Sequence, residues 1–203
     1  MDELIYKMKS IRLSAMAEHL NIRIQEATAN ELSYLEFLTN LIDDELTIRR
    51  DRLLNKRLRQ AKFPYTKTIS DFDFAFNPSI NRQQIKGLAS SSFMANHENI
   101  LMIGPPGVGK THLAIALAIE AIHKGFSVLY RSIFDIASDI AKQPDRVIDT
   151  FLKPDLLIID ELGMKNLGTA ATEILLEVIH RRYQSSYIKN IASSLQIPYI
   201  GIS

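Results

Sequence analysis

The sequence predicts an α/β fold, a parallel sheet layered between helices, preceded by a small all-helical region. Three observations carry this. Residues 2–62 contain neither Gly nor Pro and keep helical apolar spacing. Beyond Asn81, the apolar runs Ile100–Ile103, Val128–Tyr130 and Leu156–Ile159 alternate with helical patterns over His112–Lys124 and Ala170–Tyr183. A glycine-rich loop joins the first of those runs to the first of those helices.

Composition narrows the function classes. The chain has 203 residues, 46% of them hydrophobic, and no Cys, so disulfides, thiol nucleophiles and cysteine-ligated metals are excluded. Eight Gly and seven Pro are too few for an all-β architecture of many hairpins. The longest uninterrupted apolar stretch, Leu113–Ile119, is too short to span a bilayer. The start, Met-Asp-Glu, lacks the basic region and apolar run of a secretory signal, so a cytoplasmic protein is expected.

In chain order, a first helix is expected over Asp2–Ala27, ended by Thr28-Ala29-Asn30. Ser33 and Glu36 have capping-box spacing and place the start of a second helix at Tyr34. That helix continues to Ala61 and is stopped by Pro64, which has no amide hydrogen to donate. Its C-terminal half is basic. Arg49, Arg50, Arg52, Lys56, Arg57, Arg59 and Lys62 stand against Asp51 alone, whereas the whole chain balances 24 Lys+Arg with 23 Asp+Glu. Arg49, Arg52, Lys56 and Arg59 share one face, opposite Leu46, Leu53, Leu54, Leu58 and Ala61. Such a stripe suits a nucleic-acid backbone read without sequence specificity, although an ordinary solvated helix face also carries charge. Residues 64–80 form an aromatic connector; Phe63 just before it and its own Tyr65, Phe72, Phe74 and Phe76 are expected to pack structurally, or one of them to border a ligand base.

Gly104-Pro105-Pro106-Gly107-Val108-Gly109-Lys110-Thr111 matches Gly-x-x-x-x-Gly-Lys-[Ser/Thr] at every fixed position. Glycines let the backbone curl its amide hydrogens toward phosphate, Lys110 adds a cation, and Thr111 offers a hydroxyl to Mg²⁺. His112 begins a helix whose positive end points at the same place. Gly104, Gly107 and Gly109 do not fit the dinucleotide spacing Gly-x-Gly-x-x-Gly.

Asp155-Leu-Leu-Ile-Ile-Asp160-Glu161 reads as a buried strand ending in two carboxylates. At the carboxyl edge of a parallel sheet, Asp160 is placed to serve Mg²⁺ and Glu161 to polarise an attacking water, the pattern of ATP hydrolysis. The five histidines, including His97, have no metal-binding spacing, and no Gly-x-Ser-x-Gly elbow is present.

These motifs resemble one family as an ordered set. Ala61-Lys62-Phe63-Pro64, Asp71-Phe72-Asp73-Phe74, Gly104–Thr111, Pro154–Gly163 and Arg181-Arg182-Tyr183 are similar to the IstB family, AAA+ P-loop NTPases with a three-layer αβα core, akin to the helicase loader DnaC. The resemblance covers nearly the whole chain. It implies residues 1–63 as a helical domain for DNA contact and assembly, and residues 81–203 as an ATP-binding domain. It also implies binding of ATP and Mg²⁺, a homo-oligomer on duplex DNA, and a transposase partner. By the same resemblance Gly104–His112 bind ATP, Lys110 and Glu161 are catalytic, Thr111 and Asp160 serve Mg²⁺, and Ser194 is the sensor candidate. The family continues past Ser203 with an arginine finger, so this chain looks C-terminally incomplete, and Arg181 and Arg182 precede the finger position. A helicase loader, or an interaction module that binds nucleotide without hydrolysing it, are the alternatives.

Overall fold

The computed structural model describes residues 1–78, 80–96 and 98–184 and the backbone of 190–196; the side chain at 145 is also outside the description. The chain divides into two compact units, Met1–Lys56 and Arg57–Ser203.

The first unit holds α1 (Asp2–Ser10), α2 (Ser14–Ala29) and most of α3 (Tyr34–Ala61). The single helix expected over 2–27 is therefore two helices, broken where Arg12 takes a left-handed φ of 63°. The cause is a distant residue. Leu13 at the N-cap of α2 gives no side-chain bond, and the Glu45 carboxylate of α3 accepts from the backbone N–H of Ala15 (2.8 Å) and Met16 (3.1 Å) instead. A carboxylate at the positive end of a helix satisfies its orphan donors and complements its dipole. Met16, Leu20 and Leu41 form the core here, with Phe37 and Ile24 against them. Asp44 braces the same interface with two bonds from Arg23, at 2.8 and 2.7 Å. The capping box at Ser33 is present, with Glu36 accepting from the Ser33 N–H at 2.8 Å.

In the second unit, α4 (Arg82–Ala89) and α5 (Ser92–Ala95) precede β1 (Ile100–Gly104) and α6 (Lys110–His123). Then come β2 (Val128–Ser132), α7 (Ile133–Lys142), α8 (Pro144–Leu152), β3 (Leu156–Leu162), α9 (Thr169–Gln184) and β4 (Asn190–Gln196). All pairings are parallel and the strand order is β1-β4-β3-β2. The β1-α6-β2 connection thus carries the chain across the sheet, and the carboxyl ends of β1 and β3 flank the crevice where α/β sheets bind ligands. Leu129, Ile136, Phe151, Leu157 and Val178 fill one face of the sheet. Phe72 of the connector, Ile85 of α4, and Leu113 and Leu117 of α6 form a second cluster. Phe72 and Phe74 of the connector pack structurally as expected, whereas Phe76 is exposed. Helices α4, α5, α7 and α8 go beyond the expected elements, although α7 keeps helical apolar spacing at Ile133, Ile136 and Ile140 and Ser132 and Asp135 form a capping box.

Arg182 is wholly buried on α9, where its guanidinium donates to the carbonyls of Phe151 and Pro154 (2.9 Å each) and Asp155 (3.0 Å). Burial lowers its pKa to about 10, with Asp155 opposing. It clamps the turn between α8 and β3 and is not an exposed finger.

Glu45 is 4% exposed. Burial pushes its pKa up, but Arg49 (2.7 Å) and the two amides outweigh that and hold it below the usual 4.5. A depressed carboxylate pKa contributes stability that is present above the unfolded value and lost as pH falls through the folded one. Replacing Glu45 with Ala should therefore cost about 1–3 kcal/mol at neutral pH, by leaving two helix donors without their acceptor. The difference between wild type and variant should shrink on acidification below pH 4.5, measured by urea unfolding followed by circular dichroism.

Candidate functional site

The loop after β1 leads into α6 through Gly109, whose φ is 91°, with Gly107 at 81°. Gly109 is the N-cap of α6 and provides no side-chain bond, so the first-turn amides keep their capacity for an anion. The conformation alone favours glycine, and packing adds a second reason: a Cβ at Gly109 would lie 2.4 Å from Cε2 of Phe72. Phe72 also stacks edge-on to His112, at 5.1 Å between ring centres, and His112 Nε2 lies 2.9 Å from the Thr68 carbonyl. The connector thus buttresses the outer wall of the loop. A hollow of about 330 Å³ there is lined by Asp71, Asp73, Phe76, Gly107, Val108 and His112 among others. Pro105 and Pro106 are exposed on the loop.

Lys110 Nζ folds over the loop and donates to the carbonyls of Gly104 (2.9 Å) and Pro105 (2.7 Å). Burial lowers its pKa and Asp160 opposes the shift. Thr111 Oγ1 donates to Asp160 Oδ2 at 2.8 Å across 49 positions of sequence. Two residues nominated separately thus meet. A hydroxyl beside a carboxylate is a hard oxygen pair of the kind Mg²⁺ accepts, with phosphate oxygens and water completing its shell. The residues present fit that ion and a nucleoside triphosphate.

Glu161 was expected as the next residue of a regular strand. Instead β3 breaks register against β4 between Ile159 and Leu162, and Glu161 adopts a left-handed φ of 59°. Such bulges re-aim side chains beside active sites, and a strained non-glycine residue is held only where its surroundings demand it. Its N–H donates to Asp160 Oδ1 at 2.8 Å. Burial, then the charges of Asp160 and Asp135, push the Glu161 pKa up, a direction that favours acceptance of a proton.

Tyr130 on β2 is the residue the sequence reading missed. Its hydroxyl donates to Asp160 Oδ2 at 2.7 Å, and Phe63 packs edge-on against its ring at 6.4 Å. Burial and the Asp160 bond keep this phenol far above its ordinary pKa, always a donor. No motif marks it, since its sequence context is that of any buried strand. Ser194 lies in β4 opposite Met102 of β1, but its side chain is outside the described residues.

The basic stripe is partly engaged. Arg49 is held by Glu45 and the Arg12 carbonyl, and Arg52 Nη1 donates to Ser14 Oγ at 3.1 Å. Lys56 and Arg59 are exposed and enter no ion pair among the described residues.

A family model described as IstB-like ATP binding protein matches residues 6–197. The chain is 36% identical over 183 residues to the protein of insertion sequence IS5376 from Geobacillus stearothermophilus, covering 88% of this chain and 73% of that one. It is 33% identical over 193 residues to the counterpart in IS21 of Pseudomonas aeruginosa, covering 93% and 73%. Among solved structures, DnaA of Aquifex aeolicus bound to AMPPCP superposes with a TM-score of 0.58 at 19% identity, over 67% of this chain and 43% of that one. The DnaC helicase loader superposes at 0.51 with 20% identity, over 72% and 82%. These two likenesses show the AAA+ fold.

Replacing Tyr130 with Phe removes one donor from Asp160 and should cost about 1–2 kcal/mol of stability. The variant should need several-fold more Mg²⁺ to bind a fluorescent ATP analogue, while binding in excess chelator stays unchanged. Titration of fluorescence against Mg²⁺ tests this.

Proposed function

The chain belongs to the IstB-like ATP-binding protein family, and on that premise we propose that it is a Mg²⁺-dependent ATPase serving transposition of an insertion sequence. The observation that carries the reading is the meeting of Thr111 and Asp160 beside Lys110 and the uncapped start of α6. In this reading Lys110 leaves the carbonyls of Gly104 and Pro105 for the β and γ phosphates, and the loop amides hold the same oxygens. Thr111 and Asp160 hold Mg²⁺, which supplies neutralisation of charge on the transferred phosphoryl group. Glu161 accepts a proton from water as the water oxygen bonds to the γ phosphorus. The bond from that phosphorus to the bridging oxygen breaks, releasing ADP and phosphate. The hollow beside Phe76 and His112 receives the base.

The partners we propose are duplex DNA, a transposase and further copies of the chain, in the cytoplasm. Lys56 and Arg59 carry the phosphate contacts, while Arg49 and Arg52 chiefly brace the first unit. Ser194 is proposed as the residue sensing the γ phosphate.

Lys110→Ala should abolish tight ATP binding. Glu161→Gln should retain binding and lose at least about a hundredfold in turnover, read by phosphate release with and without duplex DNA. Equal turnover in wild type and both variants would overturn the ATPase reading. Lys56→Ala with Arg59→Ala should weaken duplex binding and flatten its dependence on salt by about two phosphate contacts, without loss of thermal stability. Arg49→Ala should instead lower stability, and melting curves beside binding isotherms separate the two effects.

A further inference from the structure

Cations gather at a second place in the second unit, away from the phosphate loop. Arg131, on the edge strand β2, is 8% exposed. Its Nε donates to Asp139 of α7 at 2.8 Å and its Nη1 to the Tyr130 carbonyl at 3.4 Å. Its Nη2 enters no hydrogen bond among the described residues. The planar guanidinium is thus fixed along one edge and keeps a donor to offer along the other. It lines a hollow of about 220 Å³, together with Lys62, Lys142 and Arg146. Those three are exposed and enter no ion pair among the described residues. Asp139 is the only acid in the lining among the described residues, and Arg131 already engages it. The hollow therefore holds a surplus of three positive charges, and a concavity lined by one sign of charge concentrates the opposite ion.

Lys62 carries a further sign. It follows the last residue of α3 with a left-handed φ of 58°, where a helix commonly ends in glycine. A lysine is strained in that conformation, yet the position brings its side chain to the hollow. Charge and shape select the ligand. A phosphate offers three or more oxygens and up to two charges, whereas a carboxylate offers two oxygens and one charge, so phosphate answers more of the surplus. A neighbouring hollow of about 280 Å³ shares Lys62 and Thr150 and continues past Ser127, Val128 and Leu129 of β2. It gives room for whatever the phosphate is attached to. We propose that the hollow beside Arg131 is a second phosphate site, taking one phosphate group that is either free or carried on a nucleic-acid strand. Strands β1 and β2 lie at opposite edges of the described sheet, about 14 Å apart, so this site is separate from Gly104–Thr111. The proposal does not rest on the ATPase reading.

Two titrations of the full chain test it. Inorganic phosphate is followed by calorimetry at constant ionic strength, and a dye-labelled single strand of about twelve nucleotides by fluorescence anisotropy. Lys142→Ala with Arg146→Ala should weaken binding of at least one of these ligands about tenfold or more. Arg131→Lys keeps the charge and loses the fork, and should weaken the same ligand, which a long-range field alone would not do. Lys62→Gly should weaken it several-fold while the melting temperature stays level or rises, since glycine accepts the left-handed φ. Lys110→Ala, in the nucleotide loop, should leave this binding in place. A response confined to the oligonucleotide assigns the phosphate to a strand, and a response of inorganic phosphate assigns it to the free ion. Unchanged affinity for both ligands in all the cation variants, or a loss that follows Lys110→Ala instead, would overturn the proposal. So would a poly-glutamate peptide that binds through the same cations and is not displaced by phosphate.

Discussion

The second unit is organised around one buried carboxylate. Asp160 is 2% exposed, and an ionised group so far from water is tolerable only with donors on it. Those donors come from three places: Thr111 at the start of α6, Tyr130 on β2 and the backbone N–H of Glu161. Satisfying one side chain therefore sets the phosphate loop, the neighbouring strand and the bulge in a common frame. The left-handed Glu161 is part of the same arrangement, since its amide reaches Asp160 only because the strand breaks its register there.

A similar economy governs the first unit, where Glu45 caps a helix from which it is 30 positions distant and draws Arg49 onto itself. It explains why a patch with seven cations and one acid is not simply a bare positive surface. Two members of the sequence-defined stripe brace the fold, whereas Lys56 and Arg59 are exposed and in no ion pair among the described residues. Buried charge held by backbone carbonyls recurs at Arg182, whose terminal nitrogens tie α9 to the turn before β3.

Much of the architecture was legible from local rules. The loop motif needs particular residues at fixed spacing because backbone amides, one lysine and one hydroxyl must all reach phosphate, so eight consecutive letters carry the chemistry. The start of α3 could be read from Ser33 and Glu36 because a capping box is closed within one turn, and its end from Pro64. Strands β2 and β3 declared themselves as apolar runs, since a parallel strand buried on both faces has no polar alternation, whereas β1, at the edge of the sheet, is an apolar run with Leu101 and Ile103 exposed.

By itself the sequence determined the elements whose causes are short in range: the α/β class, the long helix, the phosphate loop, and the pairing of Asp160 with Glu161 at a strand end. Only the tertiary structure decided what depends on contacts across many residues. The break between α1 and α2 depends on Glu45, the fit of Gly109 depends on Phe72, and Tyr130 reaches Asp160 only because β2 lies beside β3. The physical reason is common to all three. A hydrogen bond or a ring contact is satisfied by whatever group the fold brings within about 3–4 Å, and separation along the chain leaves no local trace of that meeting.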